Sequence, residues 1–294
     1  MKVNTNVSSL TALESNTHTN NKIKTSLERL ASGLKINKAS DDASGLAIAD
    51  KLRTQVTSVN QGIANGNSAI ALLQIADKSM AEQSNILDTV KAKLIQANTD
   101  TTSTAGRIAI AKDVSKLLSQ LDNIAKQTNY NGTALLQKGM NNTTGKESSP
   151  GLSFQIGEKP SDLISTKSIQ ANVTGYKLTS LHANVSAAAN TVPTDPEVFR
   201  RVEASGFQLA VDDAITTLNG YRGDIGSTQN QVESAVRNLM TQATNVKAGE
   251  SVLRDVDYAE ESSNFNKLNI ISQAGSFSIS QSNAVTQNVL RLLQ

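Results

Sequence analysis

From Leu52 to Leu94 the chain keeps one helical face apolar with a regularity that leaves few folds open. Leu52, Val56, Val59, Ile63, Gly66, Ile70, Leu73, Asp77, Met80, Ser84, Leu87, Lys91 and Leu94 follow one another in strict four-three alternation, and the residues between them are mostly polar. A 3.5-residue period held for about six heptads is the pattern of a coiled coil and predicts a rod of roughly 60 Å. One helix cannot keep such a seam from water, so a partner is required. The chain carries one nearer its other end: Val211, Ile215, Leu218, Arg222, Ile225, Gln229, Val232, Val236, Leu239, Ala243, Val246, Glu250 and Leu253. Two matched seams predict an antiparallel coiled coil with both chain ends at the same end. The fold class expected is mainly α: long antiparallel coiled-coil helical rods with a small β-hairpin region.

Composition agrees with thin rods. The 294 residues include no Trp and only 3% aromatics, whereas thick cores draw much of their buried area from aromatic rings. A net charge of +2 with scattered Lys and Arg argues against nucleic acid or a membrane surface as partner. The absence of Cys removes disulfides and thiolate chemistry. No apolar run is long enough to span a bilayer, and the polar stretch Met1 to Asn21 is not expected to be a cleavable secretory signal.

Along the chain, a weaker seam comes first. Val7, Leu10 and Leu13 begin it, Asn and Thr interrupt it, and Ile23, Leu27, Leu30 and Leu34 resume it. A break is expected from Gly33 to Lys38, and Ser40, Asp41 and Asp42 read as the start of the long helix. The polar segment Asn98 to Gly106 reads as a turn, and Ile110, Val114, Leu117, Leu121 and Ile124 mark a helix folding back. Asn131-Gly132 is a hairpin turn signal. Leu152, Phe154 and Ile156 then alternate with Ser153 and Gln155 as in a half-buried strand, followed by a less regular run from Ile164 to Val173. One or two hairpins packed on the rods are expected. Gly220, Gly223 and Gly226 inside the returning helix suggest close backbone approach or a kink. The last stretch is amphipathic, with Phe265, Leu268, Ile271, Phe277, Ile279, Val285, Val289, Leu292 and Leu293. Only the weak first helix could cover it within the chain, so apolar surface is left for other chains. The expected divisions are 1–40, 41–176, a short exposed segment 177–200, 201–254 and 255–294.

Three segments resemble bacterial flagellins: LERLASGLKINKASDDASGLAIAD from Leu27 to Asp50, LRDVDYAEESSNFNKLNIISQAG from Leu253 to Gly275, and the closing QNVLRLLQ. The match covers roughly residues 1–135 and 205–294, with a middle short for the family. The resemblance implies a structural subunit that self-polymerises into the extracellular flagellar filament for swimming. It implies export unfolded through the type III pathway with an export chaperone, polymerisation under a filament cap, and contact with hook-associated proteins. It also implies terminal helices in an inner coiled-coil layer, which would place Leu10, Ile23, Leu27, Leu30, Leu34, Phe265, Leu268, Ile271, Phe277, Val289, Leu292 and Leu293 at the assembly surface. The hook-filament junction protein is the alternative, and an unrelated coiled-coil adhesin a more distant one.

The family's Toll-like receptor surface contains a basic-x-basic-Glu-Leu run on the long helix. Here Thr89 stands at the first basic position, Ala92 at the Glu and Lys93 at the Leu. Flagellins of the Campylobacter and Helicobacter type depart similarly, so weak or no receptor activation is expected. Exposed hydroxyls that could carry O-linked sugars are Ser148, Ser149, Thr179, Ser180, Ser186 and Thr191. No catalytic, cofactor or metal site is expected. His18 and His182 are far apart and flanked by polar residues, and no H-E-x-x-H or phosphate-binding loop occurs. Asp41-Asp42 and Asp255 with Asp257 read as helix-start charges and as partners for Arg29 or Arg254. Gly62-x-x-x-Gly66 resembles a close-packing motif, a weak signal on a water-facing helix.

Overall fold

A computed structural model describes residues 6–137, 151–190 and 201–292. The chain forms two compact units, one from Met1–Thr57 with Gln242–Gln294, the other from Ser58–Thr241. The described elements are α1 (Val7–Ser32), α2 (Ala43–Ala97), α3 (Thr104–Gln127), β1 (Asn129–Tyr130), β2 (Thr133–Ala134), β3 (Ser153–Gln155), β4 (Leu163–Ser165), α4 (Thr179–Asn190), α5 (Arg201–Arg254) and α6 (Tyr258–Leu292). Helices α2 and α5, of 55 and 54 residues, are each about 80 Å long at 1.5 Å per residue.

In the 58–241 unit, α2 and α5 run antiparallel along the predicted seams. Met80, Leu87 and Leu94 on α2 and Val211 and Leu218 on α5 are fully buried. Three polar seam positions pair across the interface: Arg222 Nε with Asp77 Oδ1 at 2.9 Å, and Lys91 Nζ with Oδ1 of Asp212, next to the seam, at 2.5 Å. These charges sit where a coiled coil tolerates polarity and fix which residues face each other.

The second half of α2 is buried on a further side, because α3 folds back on it and α4 packs against α3. Val114, Leu118 and Leu121 of α3 join Leu181 and Val185 of α4 in one core with α2 and α5. Of the stretch 177–200, open from the sequence to an exposed tip or a brief helix and loop, the described part holds Leu178 and the helix α4, whose Leu181, Val185 and Ala188 are buried. Residues 191–200 lie outside the described part. The four apolar residues of 178–188 lie three or four apart, a periodicity masked by the Ser, Thr and Ala between them.

Both hairpins are present. In β1–β2 the turn residues Asn131 and Gly132 have φ of 50° and 81°, the left-handed values of a type I′ turn, which Asn-Gly accommodates. In β3–β4, Phe154 pairs with Ile164. Phe154 and Ile156 face in while Ser153 and Gln155 face out, as the alternation predicts.

The two glycine groups exchange the roles the sequence suggested. A Cβ on Gly62 would lie 2.0 Å from the carbonyl oxygen of Ile156, and one on Gly66 would lie 2.4 Å from Val236. Asn65 Nδ2 also donates to Gln155 O at 3.0 Å. The Gly62–Gly66 turn of α2 is thus the seat of the β3–β4 hairpin and the close approach to α5. By contrast, Cβ atoms on Gly220, Gly223 and Gly226 would meet nothing within 4 Å, and α5 is continuous through them. They mark no tight contact among the described residues.

One buried polar network was not foreseen. Gln83 is fully buried, donates from Nε2 to Leu121 O (3.3 Å) and Ala171 O (2.8 Å), and accepts from Tyr176 Oη at 3.0 Å. It ties the irregular 166–178 segment to the helices. Burial raises the Tyr176 phenol pKa well above its ordinary value, with a smaller push from Tyr221. The hydroxyl therefore stays a donor to Gln83.

Candidate assembly surface on the terminal helix pair

The site is built in the unit that holds both chain ends. Helix α1 stops at Gly33, in left-handed conformation (φ 74°), whose N–H donates to Arg29 O. A Cβ there would lie 3.0 Å from the Tyr258 hydroxyl, so the position favours glycine for backbone and for space. Helix α5 ends near the same point. Leu34 and Asp255 form an antiparallel bridge, in which Lys35 N–H donates to Arg254 O at 2.6 Å and Val256 N–H to Gly33 O at 3.0 Å. Both helix breaks are therefore clipped together.

The aspartates of this joint act as caps. Asp42 Oδ1 accepts the N–H groups of Ser44 and Gly45 at 3.0 and 2.9 Å, and Asp257 Oδ1 those of Ala259 and Glu260 at 2.9 and 3.2 Å. These are the otherwise unpaired donors of a helix start. Asp41 Oδ2 accepts from the amides of Lys38 and Asn37, and these bonds hold its carboxyl below the usual pKa. Asp255 accepts from Ser251 Oγ at 2.6 Å. The ion pairs expected of these aspartates go elsewhere: Arg29 faces Glu261 at 3.6 Å and Arg254 faces Asp50 at 4.0 Å. Capping uses the aspartate oxygens locally, which leaves the arginines to more distant acids.

Beyond the joint, α1 and α6 pack as an antiparallel pair. Their contact line is not the apolar one read from the sequence. Asn6 Nδ2 donates to Ser282 Oγ at 3.1 Å. Ser272 Oγ donates to Asn16 Oδ1 and Asn20 Oδ1 at 3.3 and 3.1 Å. Asn16 Nδ2 reaches Ser276 Oγ at 3.5 Å. Ser26 Oγ donates to the buried Glu261 at 2.5 Å. Asn16 and Asn20, which interrupt the first seam, thus belong to the line facing α6. Ile23, Leu30, Leu34 and Phe265 are half-buried and Leu268 is buried. The others point to solvent: Leu10 is 56% exposed, Leu27 54%, Ile271 44% and Phe277 72%. Val7, Leu13, Ile270 and Val285 are also exposed. The side chains of Val289 and Leu292, and Leu293 itself, lie outside the described residues.

The remaining candidates fall in the other unit, apart from His18. Thr89 and Ala92 are exposed on α2 and Lys93 is half-buried, its Nζ 3.3 Å from Asp113 Oδ2. Neighbouring Val90 and Leu94 are buried. Thr179 and Ser180 are exposed, whereas Ser186 is half-buried and shares a 3.2 Å hydrogen bond with Ser115, so its hydroxyl is already engaged. Ser148, Ser149 and Thr191 lie outside the described residues. His18 lines a surface groove with Lys22, Arg29 and Glu261, and His182 is half-buried on α4. Among the described residues no group of three or more His, Asp or Glu could hold a metal ion, and no helix is long and apolar enough to cross a membrane.

Comparison with known proteins places this arrangement. The bacterial flagellin N-terminal helical region matches residues 3–141, and the bacterial flagellin C-terminal helical region matches residues 209–293. Flagellin of Bacillus subtilis (strain 168) is 34% identical, with the whole of both chains covered. Flagellin A of Helicobacter pylori is 38% identical over 92% of this chain and 49% of its own. A structure described as a flagellar hook-associated protein from Vibrio parahaemolyticus has a TM-score of 0.59 at 12% identity, covering 73% of this chain and 99% of that one; likeness at that identity speaks of fold alone. With two family regions covering the helices at both ends and a full-length relative at 34% identity, this chain belongs to the bacterial flagellin family.

Proposed function

We propose that the chain is the repeating structural subunit of a bacterial flagellar filament, acting outside the cell and polymerising with copies of itself for swimming motility. One observation carries the reading: the terminal helix pair buries Leu268 and several polar contacts between its helices while Leu10, Leu27, Ile271 and Phe277 face outward. Large exposed apolar side chains on a long helix pair are what neighbouring chains bury. Contacts of one face against a different face of the next copy continue without closing, which gives a filament. In this reading 1–40 and 255–294 form an inner coiled-coil layer, with the long helices of 41–176 and 201–254 outside it. The segment 177–200 adds α4 to the second layer. Ends that bury little surface alone order on assembly. The family resemblance supports export through the type III pathway with a chaperone on the C-terminal helix, addition under a cap, and contact with hook-associated proteins. Thr179 and Ser180 are the described hydroxyls open to O-linked sugars.

The test is seeded polymerisation of purified chain followed by electron microscopy, beside a variant truncated after Arg254. Long filaments from the full chain and none from the truncation are expected. Short rings or monomer from the full chain would bring forward the hook-filament junction protein, and filaments from the truncation would remove α6 from the assembly surface. The altered Thr89, Ala92 and Lys93 positions further imply weak Toll-like receptor activation. A reporter-cell response as strong as that to an enteric flagellin contradicts this.

A further inference from the structure

The polar line between α1 and α6 has a pattern that goes beyond holding the two helices together. Along α6 the residues that face α1 alternate in kind. Glu261, Ser272 and Ser282 are hydrogen-bonded to α1, while Leu268 is buried and Phe265 and Ile279 are half-buried between them. The polar partners Asn6, Asn16, Asn20 and Ser26 meet those three positions, and Asn16 also reaches Ser276 at 3.5 Å.

Once the Leu34–Asp255 bridge is open, a slip of α6 by one heptad would keep its inward face inward, so apolar burial alone would not resist it. That slip brings Leu268, Ile279 and Val289 to the places of Glu261, Ser272 and Ser282. Asn6, Asn20 and Ser26 would then face an aliphatic side chain, while Asn16 would lose Ser272 and meet Asn283 at the place of Ser276. The opposite slip brings Phe265 to the place of Ser272 and Gly275 to that of Ser282. A buried polar group left without a partner costs more than the hydrogen bond it made; Ser26 and Glu261 are buried, Asn6 and Asn16 half-buried, and Asn20 is exposed. Single polar residues at coiled-coil core positions are known to select register at the expense of stability.

We infer that the Asn16/Asn20–Ser272 cluster, with Asn6–Ser282 and Ser26–Glu261, is a register key that admits one alignment of α6 on α1. The outward apolar residues sit on both helices, Leu10 and Leu27 on one, Ile271 and Phe277 on the other. Only a fixed alignment presents them as the same composite surface on every copy. This consequence rests on the filament reading; the key itself does not.

The chain has no cysteine, so two can be introduced for spin labels at the exposed positions Thr11 and Ser263, which are offset along the pair. Distances are measured by pulsed electron resonance on the full chain, free and diluted with unlabelled chain in seeded filaments. The unsubstituted seam is expected to give one narrow distance. Asn16→Leu with Ser272→Leu is expected to add a population displaced by about 10 Å, one heptad at 1.5 Å per residue. The exchange Asn16→Ser with Ser272→Asn keeps the polar pair and is expected to restore the single distance. A single unchanged distance in the double-leucine variant overturns the key. So does the absence of a defined distance in the parent chain in both states, or the leucine pattern in the exchanged pair. A sharp distance in chain that forms no filament would instead sink the filament reading and leave the key standing.

Discussion

One substitution, made at two glycines of two long helices, should change stability in opposite directions. In a helix interior Ala is favoured over Gly by about 1 kcal/mol. At Gly223 nothing lies within 4 Å of the added methyl, so Gly223→Ala should stabilise by up to about 1 kcal/mol. At Gly62 the same methyl would stand 2.0 Å from Ile156 O and 3.3 Å from Leu239 Cδ1. A backbone carbonyl cannot swing aside as a side-chain end can, so the β3–β4 hairpin must lift by more than an ångström. That movement threatens the Asn65–Gln155 hydrogen bond, about 1 kcal/mol, and part of the burial of Ile156, about 1.5–3 kcal/mol when complete. Set against the helix gain, Gly62→Ala should destabilise the hairpin contact by about 2 kcal/mol, roughly a 30-fold loss of protection. Amide hydrogen exchange on the monomer reads this directly, because Ile156 N–H is bonded to Asp162 O within the hairpin. Protection of Ile156 should fall in Gly62→Ala and hold in Gly223→Ala, while the denaturant midpoint rises only in the latter. Equal or raised protection in Gly62→Ala would refute the claim that this glycine is required by the hairpin seat.

Two further expectations follow from buried and capped polar groups. Gln83→Leu removes the donor to Ala171 O and the acceptor of Tyr176 Oη, and should cost about 2–6 kcal/mol at one to three per orphaned group. Adding Tyr176→Phe should cost less than the two singles summed, because the partners share one network; denaturant titration of the three variants checks it. For Asp41 the folded pKa lies below its ordinary value, so its contribution is fully present above the unfolded pKa of about 4 and is lost as pH falls through the lowered one. Exchange protection of the Asn37 and Lys38 amides should follow that course, and Asp41→Asn should remove the pH dependence.

The seams of α2 and α5 were legible because charge and apolarity alternate along them with one period. Of the α2 seam residues from Leu52 to Leu94, none is exposed. The hairpin turn at Asn131-Gly132 and the inward residues Phe154 and Ile156 were legible for the same local reason. What the sequence hid depends on neighbours distant in the chain. Gln83 looks like a surface residue on a polar helix face until α3 and the 166–178 segment close over it. Gly62 and Gly220 look alike until a hairpin lies on one and nothing on the other. In the terminal pair hydrophobic periodicity does not say which apolar residues stay exposed: Leu10, Leu13 and Leu27 face solvent, whereas Ile23, Leu30 and Leu34 are half-buried. There the pairing line mixes polar and apolar residues, and its polar part shows only in the Asn and Ser hydrogen bonds.

The bridge between Leu34 and Asp255 has a kinetic meaning. In the open chain it closes a loop of about 220 residues, but Gly62 and Leu239 already meet once the 58–241 unit has formed. The remaining path is then about 45 residues, which lowers the closure entropy by about 1.4 kcal/mol. The terminal pair is therefore placed late in the order of folding, after the unit that brings its two approaches together. A backbone cut inside that unit would slow the meeting of α1 and α6 without altering a residue of either.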